Sequence, residues 1–292
     1  LHRVDRRQRQ MCIRDSTEPK PCPPQATPLL EVRKASASYG HQPVLHDVSL
    51  KLYRGQTLAV IGESGSGKSS TARLITGLLP PTSGQVLYDG KALPADYRQR
   101  SKEQLRRLQM IYQIPDTALN PRQRIVDIIG RPLSFYLGLK GQALRQRVAE
   151  LLEMIELDPA LYMDRQPREL SGGQKQRICI ARALAAEPQL IICDEVTSAL
   201  DQLVAEGVLK LLNRIQQQLG VAYLFITHDV ATVRAIADEV LVMQRGKVVD
   251  HGCREEIFTP PYRDYTGLLF SSEPEMDPDW LDHLLEKRAL VS

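Results

Sequence analysis

Short apolar segments and amphipathic segments alternate along the chain from residue 29 onward. Aliphatic runs bounded by Gly, Pro or charged residues predict strands at 30–32, 44–52, 57–61, 86–88, 190–193, 221–226, 240–243 and 247–249. Apolar positions at helical spacing predict helices at 69–79, 101–109, much of 122–169 and 204–219. This alternation favours an α/β fold whose mainly parallel sheet is covered on both faces.

Two of the predicted helices have a well-defined apolar face. One face contains Leu144, Val148, Leu151, Leu152 and Ile155. The other is closed by Gly220 and contains Val204, Val208, Leu211, Leu212, Ile215 and Leu219. The helix at 69–79 is expected to end at the proline pair that follows it. The helical stretch at about 114–170 is predicted to be an insert that interrupts the alternating pattern.

The two ends of the chain differ in composition from the segment at 29–270. Residues 1–28 are Arg-rich and then Pro-rich, which is typical of a disordered lead and linker. Whether residues 1–16 are native sequence, and whether the chain is a fragment of a tandem protein, stays open. The C-terminal extension at 271–292 contains Trp280, Leu281, Leu284 and Leu285, which form either a docking stripe or part of a solvated helix.

Composition and charge restrict the function. Hydrophobic residues make up 42% and charged residues 25%, as in an ordinary globular protein. No run approaches the roughly 18 apolar residues of a membrane span, so a membrane role would need a partner. Residues 1–20 hold six basic and three acidic residues, which accounts for the whole net charge of +3 and argues against nucleic-acid binding by the remainder.

Among the five cysteines, none forms a CxxC pair, and Cys179 and Cys193 are predicted to be core residues.

A glycine-rich motif follows the predicted strand at 57–61. The sequence GESGSGKS at 62–69 fits G-x-x-x-x-G-K-[ST] in full, and it precedes a predicted helix as this motif requires. Backbone amides of such a loop and the helix N-terminus face phosphate oxygens. Lys68 is expected to reach the β- and γ-phosphates, and Ser69 to ligate Mg²⁺. The candidate nucleotide-binding residues of this segment are Gly62, Ser64, Gly65, Ser66, Gly67, Lys68, Ser69 and Ser70.

A pair of acids ends the apolar strand predicted at 190–193. Asp194 is the candidate Mg²⁺ ligand, because a buried strand can deliver a carboxylate to the phosphate end of the sheet. Glu195 is the candidate group that polarises an attacking water.

The motif LSGGQ at 170–174 distinguishes among nucleotide-binding families. With it the sequence resembles the ATPase subunits of ABC transporters, whose signature has these letters. The resemblance implies a P-loop NTPase fold of the ABC ATPase type, with a mainly parallel core sheet, an N-terminal antiparallel β subdomain and a helical insert. It also implies a head-to-tail dimer, in which one subunit's signature covers the ATP held by the other. The signature residues expected to do so are Ser171, Gly172, Gly173 and Gln174.

The resemblance covers about 29–270 and assigns four further positions. Tyr39 matches the aromatic residue that stacks on adenine, and Gln113 matches the glutamine that links Mg²⁺ and water to the insert. Asp201 ends a segment that contacts the opposite subunit, and His228 matches the histidine that contacts the γ-phosphate.

Two positions depart from the family pattern. Val196 replaces the usual proline after the catalytic glutamate, and Ile114 replaces an aspartate after the glutamine. Neither change removes a ligand, but both are expected to affect local rigidity and rate.

The segments ALNPR at 118–122, PPY at 260–262 and YT at 265–266 resemble the oligopeptide, dipeptide and nickel importer branch. That branch implies ATP and Mg²⁺ as cofactors and a peripheral location on the cytoplasmic face of the cell membrane. Its expected partners are a second ATPase subunit, two transmembrane permeases and, indirectly, an extracytoplasmic solute-binding protein. Cys253 stands alone, so no iron–sulfur cluster is expected. The alternative is a soluble ABC ATPase that acts on ribosomes or DNA.

Overall fold

The computed structural model describes residues 27–271, so most of the predicted lead and nearly all of the C-terminal extension lie outside the described residues. The strands are β1 (Leu30–Tyr39), β2 (Gln42–Leu52), β3 (Thr57–Ile61), β4 (Ser83–Tyr88), β5 (Lys91–Ala92), β6 (Leu108–Ile111), β7 (Leu190–Asp194), β8 (Ala222–Ile226), β9 (Glu239–Gln244) and β10 (Lys247–Cys253). The helices are α1 (Lys68–Thr76), α2 (Lys102–Arg107), α3 (Pro115–Ala118), α4 (Ile125–Leu137), α5 (Gly141–Met154), α6 (Pro159–Tyr162), α7 (Gly172–Leu184), α8 (Gln202–Leu219), α9 (Val230–Ile236), α10 (Arg254–Ile257) and α11 (Asp264–Ser271).

A six-stranded sheet forms the centre of the fold, in the order β10-β9-β3-β8-β7-β6. Neighbouring strands are parallel from β9 to β6, and only β10 runs antiparallel. Every residue of β3, β7 and β8 is buried, as expected for strands that are covered on both faces. The predicted mainly parallel sheet is therefore confirmed.

A second, antiparallel sheet has the order β2-β1-β4-β5. An apolar cluster joins it to α1 and to one face of the central sheet, with Leu50, Leu74 and Leu224 among its buried members. The structure confirms the N-terminal antiparallel subdomain, and β1 extends seven residues beyond the predicted strand at 30–32.

The helical insert and the opposite face of the central sheet share a larger apolar cluster. It contains Val148, Leu151 and Leu152 from α5 and Ile155 directly after it, as their spacing predicted, and Leu144 is partly buried against it. Cys179 and Cys193 are buried in the same cluster, which confirms their prediction as core residues. Among residues 27–271, no helix has both the length and the apolar character needed to cross a membrane.

Three details of the sequence prediction were wrong. The helix predicted at 101–109 ends at Arg107, because Leu108 begins β6 and pairs in parallel with Leu190. The helix predicted at 69–79 ends at Thr76, where Gly77 adopts a left-handed conformation and caps it before the prolines. Leu219 was predicted on the buried face of α8 but is 50% exposed.

Candidate functional site

Four parallel strands of the central sheet end at one edge, and each is followed by predicted site residues. The glycine-rich loop follows β3, Gln113 follows β6, and His228 follows β8. Asp194 is the last residue of β7, and Glu195 comes directly after it. Ligands commonly bind at this edge of α/β sheets. A cavity of about 630 Å³ opens here, and its lining includes Ser64, Gly65, Gly67, Lys68, Ser69, Ser70, Gln113 and Glu195.

The glycines give the loop one packed side and one open side. Gly62 has φ 148°, and a Cβ there would lie 2.2 Å from the Met243 carbonyl oxygen. Gly67 has φ 107°, and a Cβ would lie 3.2 Å from the Cα of Gly246. At Gly65, with φ 79°, a Cβ would meet no atom within 4 Å. The loop backbone therefore packs closely against the β9–β10 turn while its other side remains open to a ligand.

Lys68 begins α1 and is only 6% exposed. Its Nζ donates hydrogen bonds to the carbonyl oxygens of Gly62 at 2.7 Å and Glu63 at 2.9 Å. Burial lowers the pKa of the Lys68 ammonium, while the nearby charges of Glu195, Asp194 and Glu63 act in the opposite direction. The loop therefore surrounds the Lys68 ammonium group, and this arrangement lets the lysine contact phosphate oxygens.

The hydroxyl of Ser69 donates a hydrogen bond of 3.0 Å to the carboxylate of Asp194. Burial raises the pKa of Asp194; the Ser69 hydrogen bond lowers it, and the charge of Glu195 raises it. Mg²⁺ prefers hard oxygen ligands and usually takes only one or two protein carboxylates. A hydroxyl and a carboxylate in contact beside a phosphate loop therefore fit that ion.

Glu195 is held in a left-handed backbone conformation with φ 50°. Its amide donates to the Ile226 carbonyl at 2.9 Å, which ties this turn to β8. Its carboxylate accepts a hydrogen bond of 2.6 Å from Gln113 Nε2 and lies 3.4 Å from His228 Nδ1. The three residues predicted to be catalytic therefore meet at one carboxylate.

The two departures from the family pattern lie outside this contact set. Val196 is 2% exposed and packs in the large apolar cluster of the helical insert. Ile114 is 50% exposed and precedes Pro115 at the start of α3. Both side chains therefore flank the site without replacing any of its polar groups.

The antiparallel sheet and the β9–β10 turn contribute residues that the sequence did not identify as part of the site. Gln42, Pro43, Val44, His46, Arg245 and Gly246 line the same cavity. The Gly246 amide donates to the Ser66 carbonyl at 2.8 Å, while the buried Ser66 hydroxyl has no partner among the described residues. Tyr39 is 42% exposed, and its hydroxyl accepts a hydrogen bond of 2.9 Å from Arg73. Only long-range packing brings the six residues of the cavity lining together here, whereas Tyr39, which the resemblance assigned to the site, is not part of that lining.

The signature residues lie apart from this cavity and do not line it. Ser171 caps α7 by accepting from the Gln174 amide, and the Gln174 side chain accepts from the Ser171 amide in return. Gly173 packs tightly, since a Cβ there would lie 2.4 Å from Val204 Cγ1. Asp201 caps α8 by accepting from the Val204 amide. Within one chain the candidate residues therefore form two separate groups, with Ser171 and Gly172 exposed.

Curated relatives match most of the chain. The dipeptide transport ATP-binding protein DppF of Escherichia coli (strain K12) is 42% identical over 235 residues, covering 80% of this chain and 70% of that protein. The oligopeptide transport ATP-binding protein OppF of Salmonella typhimurium is 46% identical over 233 residues, with the same coverage. The nickel import ATP-binding protein NikE of Shigella boydii is 43% identical over 215 residues, covering 74% of this chain and 80% of that protein.

Solved structures show the same fold. CbiO1 of Clostridium perfringens, described as part of the ABC transporter complex cbiONQ, superposes with a TM-score of 0.71 at 27% identity, over 89% of this chain and all of that chain. The ATP-binding cassette MJ0796, described as a dimer bound to ADP and Pi after hydrolysis, superposes with a TM-score of 0.66 at 29% identity, over 77% of this chain and 98% of that chain.

Fold and site together define the class as a P-loop nucleotide triphosphatase of the ABC type. The family described as ABC transporter matches residues 45–198, which are 154 of the 292 residues. The chain belongs to the ABC transporter family, whose domains bind and hydrolyse ATP. The names of these relatives give no support to the alternative of an ATPase that acts on ribosomes or DNA.

Proposed function

We propose that this chain is the ATP-hydrolysing subunit that powers a membrane importer for peptides or nickel. The observation that carries the hydrolytic part is the meeting of the phosphate loop with Asp194 and Glu195 at one edge of the sheet. The substrate class is supported by the names of the dipeptide, oligopeptide and nickel relatives.

Each side chain at the edge has a distinct role in this proposal. The loop amides and Lys68 bind the phosphates, and the Ser66 hydroxyl of the same loop is buried with no hydrogen-bond partner among the described residues. Ser69, Asp194 and Gln113 would hold Mg²⁺, which supplies positive charge against the phosphate oxygens. Glu195 accepts a proton from the attacking water, while Gln113 and His228 orient its carboxylate. Tyr39, the last residue of β1, stacks on the adenine ring.

The signature group requires a second subunit in this proposal. Ser171 to Gln174 are exposed or partly exposed at the start of α7, outside the cavity that holds their own chain's phosphate loop. They cover the ATP of a second ATPase subunit, either a copy or a paralogue, and Asp201 contacts that subunit. Two permease subunits supply the membrane passage, with an extracytoplasmic binding protein beyond them. The ATPase domain spans 29–270, and the chain lies on the cytoplasmic face.

Uptake assays test this function directly. Cells that lack the endogenous gene receive either the wild-type chain or Lys68→Ala, and their uptake of a radiolabelled dipeptide, an oligopeptide and nickel is measured. The proposal predicts uptake of at least one of these solutes that depends on Lys68. Equal uptake of all three with both chains contradicts it.

A further inference from the structure

The C-terminal segment at 254–271 packs beside the strand that leads into the phosphate loop. Ile61, the last residue of β3, belongs to an apolar cluster with Val242 and Ile257. Tyr265 and Phe270 of α11 are partly buried and pack against this cluster. The end of the described chain is therefore in contact with the structural base of the nucleotide site.

A polar latch fixes α11 to the central sheet. Asp250 of β10 is 6% exposed, and its Oδ2 accepts a hydrogen bond of 2.7 Å from the hydroxyl of Thr266. Its Oδ1 lies 3.1 Å from Arg263 Nε. Thr266 is 1% exposed, so this contact is protected from water and is stronger than a surface pair.

The latch places the hydroxyl of Tyr265 against the phosphate loop. The Glu63 amide donates to Tyr265 Oη at 3.4 Å, while the Glu63 carbonyl accepts from Lys68 Nζ at 2.9 Å. A tyrosine hydroxyl is neutral at pH 7 and accepts the amide through a lone pair, and burial raises the pKa of Tyr265 further. A chain of contacts therefore runs from Asp250 through α11 to the lysine that faces the phosphates.

We propose that Tyr265 is a positioning residue for the phosphate loop, and that the Asp250–Thr266 latch makes the C-terminal segment a determinant of ATP affinity. The proposal rests on the nucleotide-binding role given above to the loop. Tyr265 holds the peptide at Glu63 in the conformation that presents Lys68, which reduces the conformational freedom lost when ATP binds. It does not touch Glu195, so it acts on binding and not on the chemical step.

Tyr265→Phe removes only the hydroxyl, and Tyr262→Phe is its matched control. Tyr262 lies in the same segment, and its hydroxyl bonds to the Phe258 carbonyl at the same 3.4 Å, away from the loop. Deuterium exchange of a peptide that spans the loop is measured on the full chain without nucleotide. The dissociation constant of a non-hydrolysable ATP analogue and the kinetic constants for ATP are measured on the same samples.

The expected result for Tyr265→Phe is faster exchange in the loop and analogue binding that is weaker by about two- to tenfold, the usual worth of one hydrogen bond. KM rises accordingly while kcat stays near wild type. Thr266→Val, which breaks the latch, shifts exchange and binding in the same direction, and Tyr262→Phe changes neither. The proposal is overturned if Tyr265→Phe matches Tyr262→Phe in exchange and binding, even if its melting temperature falls. A wild-type chain that binds no nucleotide would instead overturn the proposed function.

Discussion

The side-chain amide of Gln113 donates a hydrogen bond of 2.6 Å to the carboxylate of Glu195. Gln113 lies between β6 and the first helix of the insert, and Glu195 follows β7 in the central sheet. This single contact therefore joins the helical insert to the proposed water-polarising group. If the helical insert moved so that the hydrogen bond between Gln113 and Glu195 became longer, the orientation of the Glu195 carboxylate would change.

Gln113→Ala is expected to lower kcat by about tenfold, because a hydrogen bond to a charged group is lost. KM for ATP should change less than kcat, since the phosphate loop is untouched and the proposed Mg²⁺ ligands Ser69 and Asp194 remain. Steady-state hydrolysis by the purified chain measures both constants. Gln109→Ala is the control, because Gln109 lies on β6, the strand that precedes Gln113, but bonds to the Leu105 carbonyl. Equal kcat values for the two variants would contradict a role of Gln113 in hydrolysis.

Lys68→Ala is expected to weaken ATP binding by at least about 30-fold, since truncating a buried charge contact costs roughly 2–5 kcal/mol. Calorimetric titration with ATP measures the change. Lys210→Ala serves as the control, because Lys210 pairs with Glu206 on the exposed side of α8. Wild-type affinity in Lys68→Ala would contradict the assigned role.

Much of the fold could be predicted because its strong local signals agree with the tertiary structure. The predicted strand at 57–61 is β3 without change, since a fully buried aliphatic run bounded by turn residues has few alternatives. β6 was missed because its four residues directly follow a basic helix, and only pairing with β7 makes them a strand. A short segment of this kind depends on its neighbour in the sheet.

The candidate site divides in the same way. Lys68, Ser69, Asp194 and Glu195 could be named as candidates because each lies in a motif whose chemistry depends on local spacing. The contact between Glu63 and Tyr265 joins residues 202 positions apart, and no local pattern specifies it. Whether the signature group meets a second subunit stays a prediction.

Asp194→Asn is expected to raise the Mg²⁺ concentration needed for half-maximal hydrolysis, because the amide removes the negative charge beside Ser69. Titrating hydrolysis with Mg²⁺ at saturating ATP measures this. Asp238→Asn is a matched control, since Asp238 is also buried but accepts from the Thr57 amide away from the cavity. An unchanged Mg²⁺ requirement in Asp194→Asn would exclude it as a ligand.

Ser171→Arg is expected to block the site formed by the partner's phosphate loop, because a large cation would fill the exposed helix start. Loss of the cap also costs about 1 kcal/mol of stability. Ser101→Arg controls for that cost, since Ser101 caps α2 with the same reciprocal hydrogen bonds. Mixtures of Ser171→Arg with wild type are assayed for hydrolysis at several ratios, and wild type alone is assayed over a range of protein concentrations. Hydrolysis proportional to protein concentration down to monomeric conditions would contradict a shared site.

The central claim is that Glu195 activates the attacking water. ATP binding at the same site does not require the Glu195 carboxylate. Glu195→Gln keeps the size of the side chain and removes its charge, and lost general-base assistance typically lowers the rate by about 10²–10⁴-fold. Contacts from Lys68 and Ser69 remain, so ATP should still bind. Glu187→Gln is the matched control, because Glu187 has φ 51° against 50° at Glu195 but lies on the surface, paired with Arg106.

The decisive measurement is steady-state hydrolysis by Glu195→Gln and Glu187→Gln, with ATP-dependent dimerisation followed by size-exclusion chromatography on the same samples. We predict that Glu195→Gln loses hydrolysis and accumulates as an ATP-bound dimer, while Glu187→Gln behaves as wild type. Hydrolysis by Glu195→Gln at a rate near wild type would contradict the account.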